Sequence, residues 1–459
     1  MEESIIDKRA REEFGLDEDL NDSEATADTK GFDPLSSEEL IEILGLTIKK
    51  DEQNKLATFL CALSAYTKDS QFNISFNAPS STGKSYIPTE IARLFPDGDV
   101  IEVGYCSPTA FFHDVGKYDK EKEGYIVDLS SKILIFLDQP HTQLLQHLRP
   151  MLSHDKKEIR LKITDKSQKA GLKTKNIFLK GFPAVIFCTA GLKIDEQETT
   201  RFLLLSPETD CDKIRQAILE KIRKEADNKA YVNWLEEDPQ RRSIKERIKA
   251  IKRESIKEIN IGYPEKIEER FFAETKKLKP RHQRDIGRIM SLMKAFALLN
   301  LWHRERKGST IVANEEDIEE AFKIWDVISE SQEYNLPPYI YNLYLDVILT
   351  AWYEKNPGIG RDFSEITKSI GLTRREVTQK HLQVYGRVLA DWLLRQQIIP
   401  MIENAGLIMQ EPDTNDKRRI LIYPTPLLTI SGEERNSELG CGVMQNNSEL
   451  DGGVNEIAG

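Results

Sequence analysis

The order of apolar and polar positions divides the chain into segments. The first 35 residues are polar and charged with few large apolar groups, too little apolar surface to offset the entropy of ordering, and are expected to form a disordered acidic arm. Apolar residues at helical spacing begin after Ser36-Ser37-Glu38-Glu39, a serine capping signal, and a second apolar helix is expected over residues 54–66. From Phe72 the pattern turns to short apolar runs, at 73–77, 100–103, 133–138, 184–189 and 202–206, most of them separated by helical stretches. Buried parallel strands with crossover helices give that pattern, so residues 36–211 predict an α/β domain. From Asp212 to about Tyr334 the spacing reads as helical throughout, and the charge over 227–280 predicts a solvated helical excursion. Leu336-Pro337-Pro338 stops a helix and favours an extended link, which marks a boundary. Residues 335–428 then predict four helices and a closing pair of strands, and 429–459, rich in Gly, Asn, Ser and Glu, a flexible tail.

The first strand runs into Ala78-Pro79-Ser80-Ser81-Thr82-Gly83-Lys84-Ser85, with a helix expected over 86–95. This is the P-loop pattern with alanine in place of the first glycine. Successive backbone N–H groups of such a loop wrap a phosphate at a helix start, Lys84 reaches the β and γ phosphates of ATP, and the Ser85 hydroxyl binds Mg²⁺. A small residue is tolerated at position 78 where the turn keeps φ negative. The second metal carboxylate is expected at the end of a neighbouring strand, and Asp138, closing the run Ile133-Leu134-Ile135-Phe136-Leu137, supplies it. Gln139 follows, where many ATPases of this type carry a glutamate that activates water. A glutamine orients a water but cannot take its proton, which bears on hydrolysis although phosphoryl transfer depends mostly on positioning and charge.

With these residues in place, the segment 41–328 resembles the AAA+ ATPases and, within them, the minichromosome maintenance (MCM) helicase branch. The resemblance implies a P-loop parallel sheet with a helical lid over 212–334. It makes Thr189, closing Ala184-Val185-Ile186-Phe187-Cys188, the sensor 1 residue beside Asp138. Thr200-Arg201-Phe202 is similar to the Ser-Arg-Phe element of that branch, so Arg201 would be the arginine finger acting on the ATP of a neighbouring subunit. Arg281-His282-Gln283-Arg284-Asp285-Ile286-Gly287-Arg288 is similar to the start of the sensor 2 helix, with Arg284 in the sensor position. A basic first helical turn is unfavourable without an anion, and a nucleotide phosphate would serve. A finger useful only in trans implies a ring of copies, a hexamer in this branch. The chain lacks the room and the cysteines for the zinc-bearing N-terminal domain of MCM proteins, and its short architecture suits a plasmid, phage or other mobile element.

Charge then separates the parts. The formal net charge is −11, but residues 1–42 alone carry −11, the tail from Thr429 carries −5, and the body between is +5. Residues 156–180 hold nine Lys or Arg against Glu158 and Asp165. They alternate as a hairpin with its tip near 167–172, similar to the presensor 1 hairpin that MCM rings point into their channel. Lys166, Lys169, Lys173 and Lys175 would meet DNA phosphates there without regard to sequence. A charge run is ordinarily a solvated face; the place of this one between the Asp138 and Thr189 strands is what favours DNA. Residues 339–424 read as a winged helix: a first helix from Phe363, a turn at Gly371, a recognition helix capped by Thr373 and carrying Arg374, Arg375 and Lys380, and a wing with Lys417-Arg418-Arg419.

The remaining chemistry excludes more than it adds. At 39% hydrophobic and 31% charged residues the composition is that of a soluble globular chain, whose length suits roughly two to three domains. No apolar run approaches the ~20 residues of a membrane span and the N-terminus is no secretory signal. Five cysteines without a Cys-x-x-Cys pair and seven histidines without metal spacing suggest neither disulfides nor zinc, so a reducing cytoplasm is expected. The five tryptophans fall on helical spans and read as core. The expected activity is an ATP-dependent DNA helicase or translocase acting in replication; the alternatives are an ATP-gated DNA-binding initiator or helicase loader with slow or no hydrolysis and, more weakly, a winged-helix regulator with an ATPase control domain.

Overall fold

All five apolar runs form strands, and they hydrogen-bond into one parallel sheet. In the computed structural model, which describes residues 31–104, 107, 116–165, 173–189, 201–274, 278–357, 369–414 and 416–425, helices α1 (Ser37–Gly45) and α2 (Glu52–Ser64) precede β1 (Ile74–Asn77), α3 (Tyr86–Ala92) and β2 (Val100–Val103). Then come β3 (Lys117–Asp119), β4 (Gly124–Asp128), β5 (Ile133–Phe136), α4 (Thr142–Leu152), β6 (Glu158–Asp165), β7 (Lys173–Lys180), β8 (Ala184–Thr189) and β9 (Leu203–Leu205). The main sheet has the order β2-β5-β8-β1-β9. Strands β1, β5, β8 and β9 are buried at every position, as a sheet covered on both faces requires. Successive side chains alternate between two cores. Ile133, Ile135, Ile186 and Cys188 face α2 and the later helices, whereas Leu134, Phe136, Val185 and Phe187 face Leu144, Leu145 and Leu148 of α4. The winding reverses at β1, which lies between β8 and β9, and in open α/β sheets ligands bind at the carboxyl ends of the strands beside such a reversal.

The basic hairpin is not a free arm. β6 and β7 pair antiparallel from Glu158↔Lys180 to Asp165↔Lys173, and β4 joins β7 in parallel, giving a four-stranded sheet of order β3-β4-β7-β6. β3 and β4 lack a strong apolar signature, and the sequence pattern does not predict them. Gly124 allows the pairing: a Cβ there would lie 2.7 Å from the Asn176 carbonyl oxygen and 2.8 Å from the Phe178 ring.

The segment from Asp212 is less purely helical, and less solvated, than its spacing predicts. It holds α5 (Cys211–Ala226), α6 (Asn228–Glu237), α7 (Pro239–Glu254), β10 (Glu258–Ile261), α8 (Pro264–Glu274), α9 (His282–Leu299), β11 (Glu305–Lys307), β12 (Thr310–Ala313) and α10 (Glu315–Glu333). β10, β12 and β11 form a small sheet. Strands of three or four residues among charged helices leave too short an alternation to read. α7 carries Ile244, Ile248 and Ile251 into the main core, one buried stripe on an otherwise charged helix. Residues 31–35, expected within the arm, also pack. Phe32 lies 4.8 Å from the Trp302 ring, and Asn300 both donates to and accepts from the backbone of Leu35, at 2.9 Å each.

The chain divides into two compact units at 339/340. In the second, α11 (Pro338–Leu343) continues through a π-helical turn, Tyr344–Leu349, into α12 (Thr350–Lys355). α13 (Arg374–Tyr385), α14 (Asp391–Leu393), a π-helical segment Leu394–Ile398, α15 (Ile399–Asn404), β13 (Ile408–Pro412) and β14 (Ile420–Pro424) follow. Its core gathers Tyr344, Trp352, Val377, Leu394, Ile402 and Ile422. Thr373 and Glu376 close a capping box at the start of α13, as the sequence predicts. Trp392, expected in the core, is 57% exposed. The predicted helix from Phe363, apart from Ser369 and Ile370, and the predicted tail from Thr429 lie outside the described residues.

Candidate nucleotide site

The loop from Ala78 to Ser85 leaves the buried end of β1, and the Ala78 N–H donates to the Thr189 carbonyl oxygen at 3.3 Å, which ties it to the end of β8. Ala78 keeps a negative φ, so the missing first glycine costs nothing here. The left-handed positions are Ser81 (67°) and Gly83 (90°). Gly83 is needed for its φ and not for space, since a Cβ there would meet nothing within 4 Å. The loop is braced by the Thr82 hydroxyl donating to the Pro79 carbonyl (2.9 Å), and by the N–H groups of Tyr86 and Ile87 donating to the Gly83 carbonyl (3.0 and 3.3 Å). Among the described residues the N–H groups of Ser80 through Ser85 have no protein acceptor. A run of unfilled donors around two left-handed residues is a backbone nest for an anion.

Asp138 lies two residues beyond β5, exposed, with one carboxylate oxygen accepting from the Gln139 N–H at 2.8 Å. Thr189, fully buried, donates its hydroxyl to the Gln139 side-chain oxygen at 3.1 Å. That bond joins the end of β8 to the residue after Asp138. Cys188 carries no motif that marks it in the sequence. Its thiol donates to the Lys84 carbonyl oxygen at 3.2 Å, and burial pushes it up to about 12, while Lys84 lowers and Asp138 raises it. Lys84 and Asp138 therefore both act on one buried thiol at the end of β8. For Mg²⁺, which takes oxygen ligands, the donor set fits: the Ser85 hydroxyl is not spent on capping α3, and Asp138 has a second oxygen beyond the one held by Gln139.

Arg201, and the two arginines that flank Arg284, have partners in this chain. Arg201 donates through Nε to the hydroxyl of Ser153, the C-cap of α4, at 2.5 Å. In the first turn of α9, Asp285 is buried and neutralises Arg281, at 2.8 and 3.2 Å, and Arg288, at 3.0 Å. The anion that the basic turn demands is thus built into the helix, and only Arg284 of the three is exposed. Burial pushes Arg288 down to about 10, against the pull of Asp285.

Of the predicted DNA contacts, Lys166 and Lys169 lie outside the described residues, and Lys173 is described in its backbone only. The Lys175 ammonium lies 5.5 Å from the centre of the Tyr125 ring. Arg374 is half-buried and Arg375 exposed, whereas Lys380 is paired with Glu354 at 2.5 Å.

The order β2-β5-β8-β1-β9, with the P-loop leaving β1, Thr189 ending the adjacent β8 and Asp138 following β5 one strand further out, is the AAA+ arrangement. The chain has a P-loop AAA+ fold. The sequence matches no family model and no curated protein. Among solved structures the chain is similar to a full-length MCM homolog from Methanopyrus kandleri, at 16% identity and TM-score 0.33, over 66% of this chain and 63% of that one, so it spans under two thirds of that protein. It is also similar to the active helicase Cch of SCCmec type IV (11% identity, 84% of this chain and 70% of that, TM-score 0.28) and to the apo C-terminal region of NrS-1 (11%, 86% and 79%, 0.22). These likenesses are distant; the strand order and the loop define the fold. Among the described residues no helix is long and apolar enough to cross a membrane, and no group of three metal-ligating side chains occurs.

Proposed function

We propose that the chain is an ATP-hydrolysing motor of MCM-like AAA+ type that works on DNA in replication as a ring, most simply a hexamer. The observation that carries the ATP part is the run of unfilled N–H donors from Ser80 to Ser85, at the sheet end that Asp138 and Thr189 share. In this reading the donors and Lys84 hold the β and γ phosphates, while Ser85 and Asp138 hold Mg²⁺, which when bound neutralises charge on the phosphate oxygens. Thr189 would hold the Gln139 side chain in place beside the nucleotide, and Arg201 would serve the site of the next subunit. Arg284 would meet phosphate from the lid. The DNA part is supported by the net +7 of residues 156–180 on a sheet braced against the ATPase core.

Steady-state ATP turnover with and without single-stranded DNA tests this, together with strand separation. The expected outcome is turnover stimulated by DNA and lost in Lys84→Ala. ATP-dependent DNA binding without strand separation would sink the helicase reading and leave the second one, an ATP-gated initiator or loader with slow turnover. Gln139 favours that second reading, because an amide can orient a water but cannot take its proton.

A further inference from the structure

Between the start of α13 and the β13–β14 hairpin lies an open cleft of about 600 Å³ lined by Arg374, Arg375, Arg418 and Arg419, with Asp391 and Asp416 as its acidic groups. Four guanidinium groups against two carboxylates leave a surplus of positive charge in one concavity. Few of these charges are answered by close pairs. Arg374 Nε is 3.4 Å from an Asp391 oxygen and, though buried, makes no hydrogen bond, and Arg419 is 3.9 Å from Asp413. Arg375 and Arg418 have no acidic partner among the described residues. Arg374 and Arg375 also occupy the first two positions of a 12-residue helix, where a cation is disfavoured unless an anion lies beside it. Arg418 and Arg419 are brought opposite by the hairpin, whose turn is fixed by the Asp413 N–H donating to the Arg419 carbonyl (2.8 Å) and the Arg419 N–H donating to the Asp416 carbonyl (2.8 Å).

Further along α13 the surface offers no such charge. Lys380 is paired with Glu354, and His381 is 3% exposed with its Nδ1 bonded to the Arg387 carbonyl oxygen at 2.9 Å. The following positions expose Leu382 and Val384, 45% and 42%. Gln379 and Gln383 are exposed along the same stretch, but the cationic groups, which meet phosphate rather than base edges, collect at the first turn and on the opposing hairpin. We propose that the second unit grips the phosphodiester backbone of DNA in this cleft, through Arg374, Arg375, Arg418 and Arg419, without regard to base sequence. This rests on the reading of the chain as DNA-acting, but not on ATP hydrolysis or on a ring.

The test uses the full chain carrying Lys84→Ala, so that motor action plays no part, and follows binding of two labelled duplexes of equal length and unrelated sequence across a salt series. Adding Arg375→Ala, Arg418→Ala and Arg419→Ala is expected to weaken both duplexes by about tenfold at low salt and to reduce the slope of log affinity on log salt by roughly 2 to 3, at about 0.9 per lost contact. The same three positions changed to Lys keep charge and are expected to restore binding, which separates loss of phosphate contacts from loss of fold. Unchanged affinity and slope in the Ala variant would overturn the proposal. So would a failure of the Lys variant to restore binding, a strong preference between the two duplexes, or displacement of DNA by ATP at constant ionic strength, which would make the cleft a polyphosphate site. If the parent chain hydrolyses no ATP while the Ala variant loses DNA, the motor reading fails and the cleft stands.

Discussion

In the proposed reading, Gln139 sets how fast ATP is turned over. Thr189 donates to its side-chain oxygen at 3.1 Å, and an aspartate at 138 immediately precedes it. A glutamate at 139 would accept the same hydroxyl bond, so the exchange leaves the geometry in place and adds a group able to take a proton. General-base catalysis contributes roughly 10²–10⁴-fold. Gln139→Glu is therefore expected to raise single-site ATP turnover by about 10²-fold or more, read as phosphate release under saturating ATP. A variant no faster than the parent would mean that proton removal does not limit the reaction. The P-loop, Asp138 and Thr189 were legible in sequence because each is a polar residue type placed at the end of an apolar run. The Thr189–Gln139 bond and the Cys188 thiol against the Lys84 carbonyl were not, since each joins groups distant in sequence across neighbouring strands.

At the scale of elements, α9 shows how a helix start with three arginines, from the N-cap Arg281 to Arg288 in the second turn, holds together. Asp285 is 3% exposed and is shared by Arg281 and Arg288, and Arg281 also donates to the Asn335 side chain at 2.9 Å. Removing one partner from a buried charge pair leaves the others unneutralised and costs about 3–5 kcal/mol. Asp285→Asn is expected to lower the stability of the first unit by about 3 kcal/mol, seen as a reduced urea midpoint with unchanged slope. A shift within error would show that Arg281 and Arg288 find other partners. The five strands of the main sheet were readable because each is a short apolar run bounded by polar residues. β3 and β4 were not, because Lys117-Tyr118-Asp119 and Gly124-Tyr125-Ile126-Val127-Asp128 owe their strand form to pairing with each other and with β7. α7 was legible as a helix but not as part of the core, since three isoleucines among many charged residues leave the segment polar as a whole, however well they align on one face.

Across the whole molecule, two features set its response to solution conditions. Burial lowers the pKa of His154 and His282 in the first unit and of His381 in the second, each from an ordinary 6.5. A depressed folded-state value means that the unfolded chain binds the proton first, so this contribution is present above pH 6.5 and is lost as pH falls through the folded values. Urea midpoints of both units are expected to drop as the pH is lowered from about 7.5 toward about 5.5, and His381→Gln is expected to flatten the dependence in the second unit alone. The other feature is charge. Residues 1–30 hold 11 acidic and 4 basic side chains, while residues 156–180 carry net +7. Phe32 and Leu35 are anchored on Trp302 and Asn300, so a deletion ending at residue 30 keeps these contacts. A segment of net −7 tethered to a chain with a basic hairpin competes with DNA as a high local concentration of anion would. Deleting residues 1–30 is therefore expected to tighten DNA binding at low salt and to leave it unchanged at high salt, where exposed charges separated by more than a Debye length are screened. Equal affinity of the two chains throughout the salt series would show that the acidic segment does not compete, and would assign its charge to some role other than occupying the DNA surface.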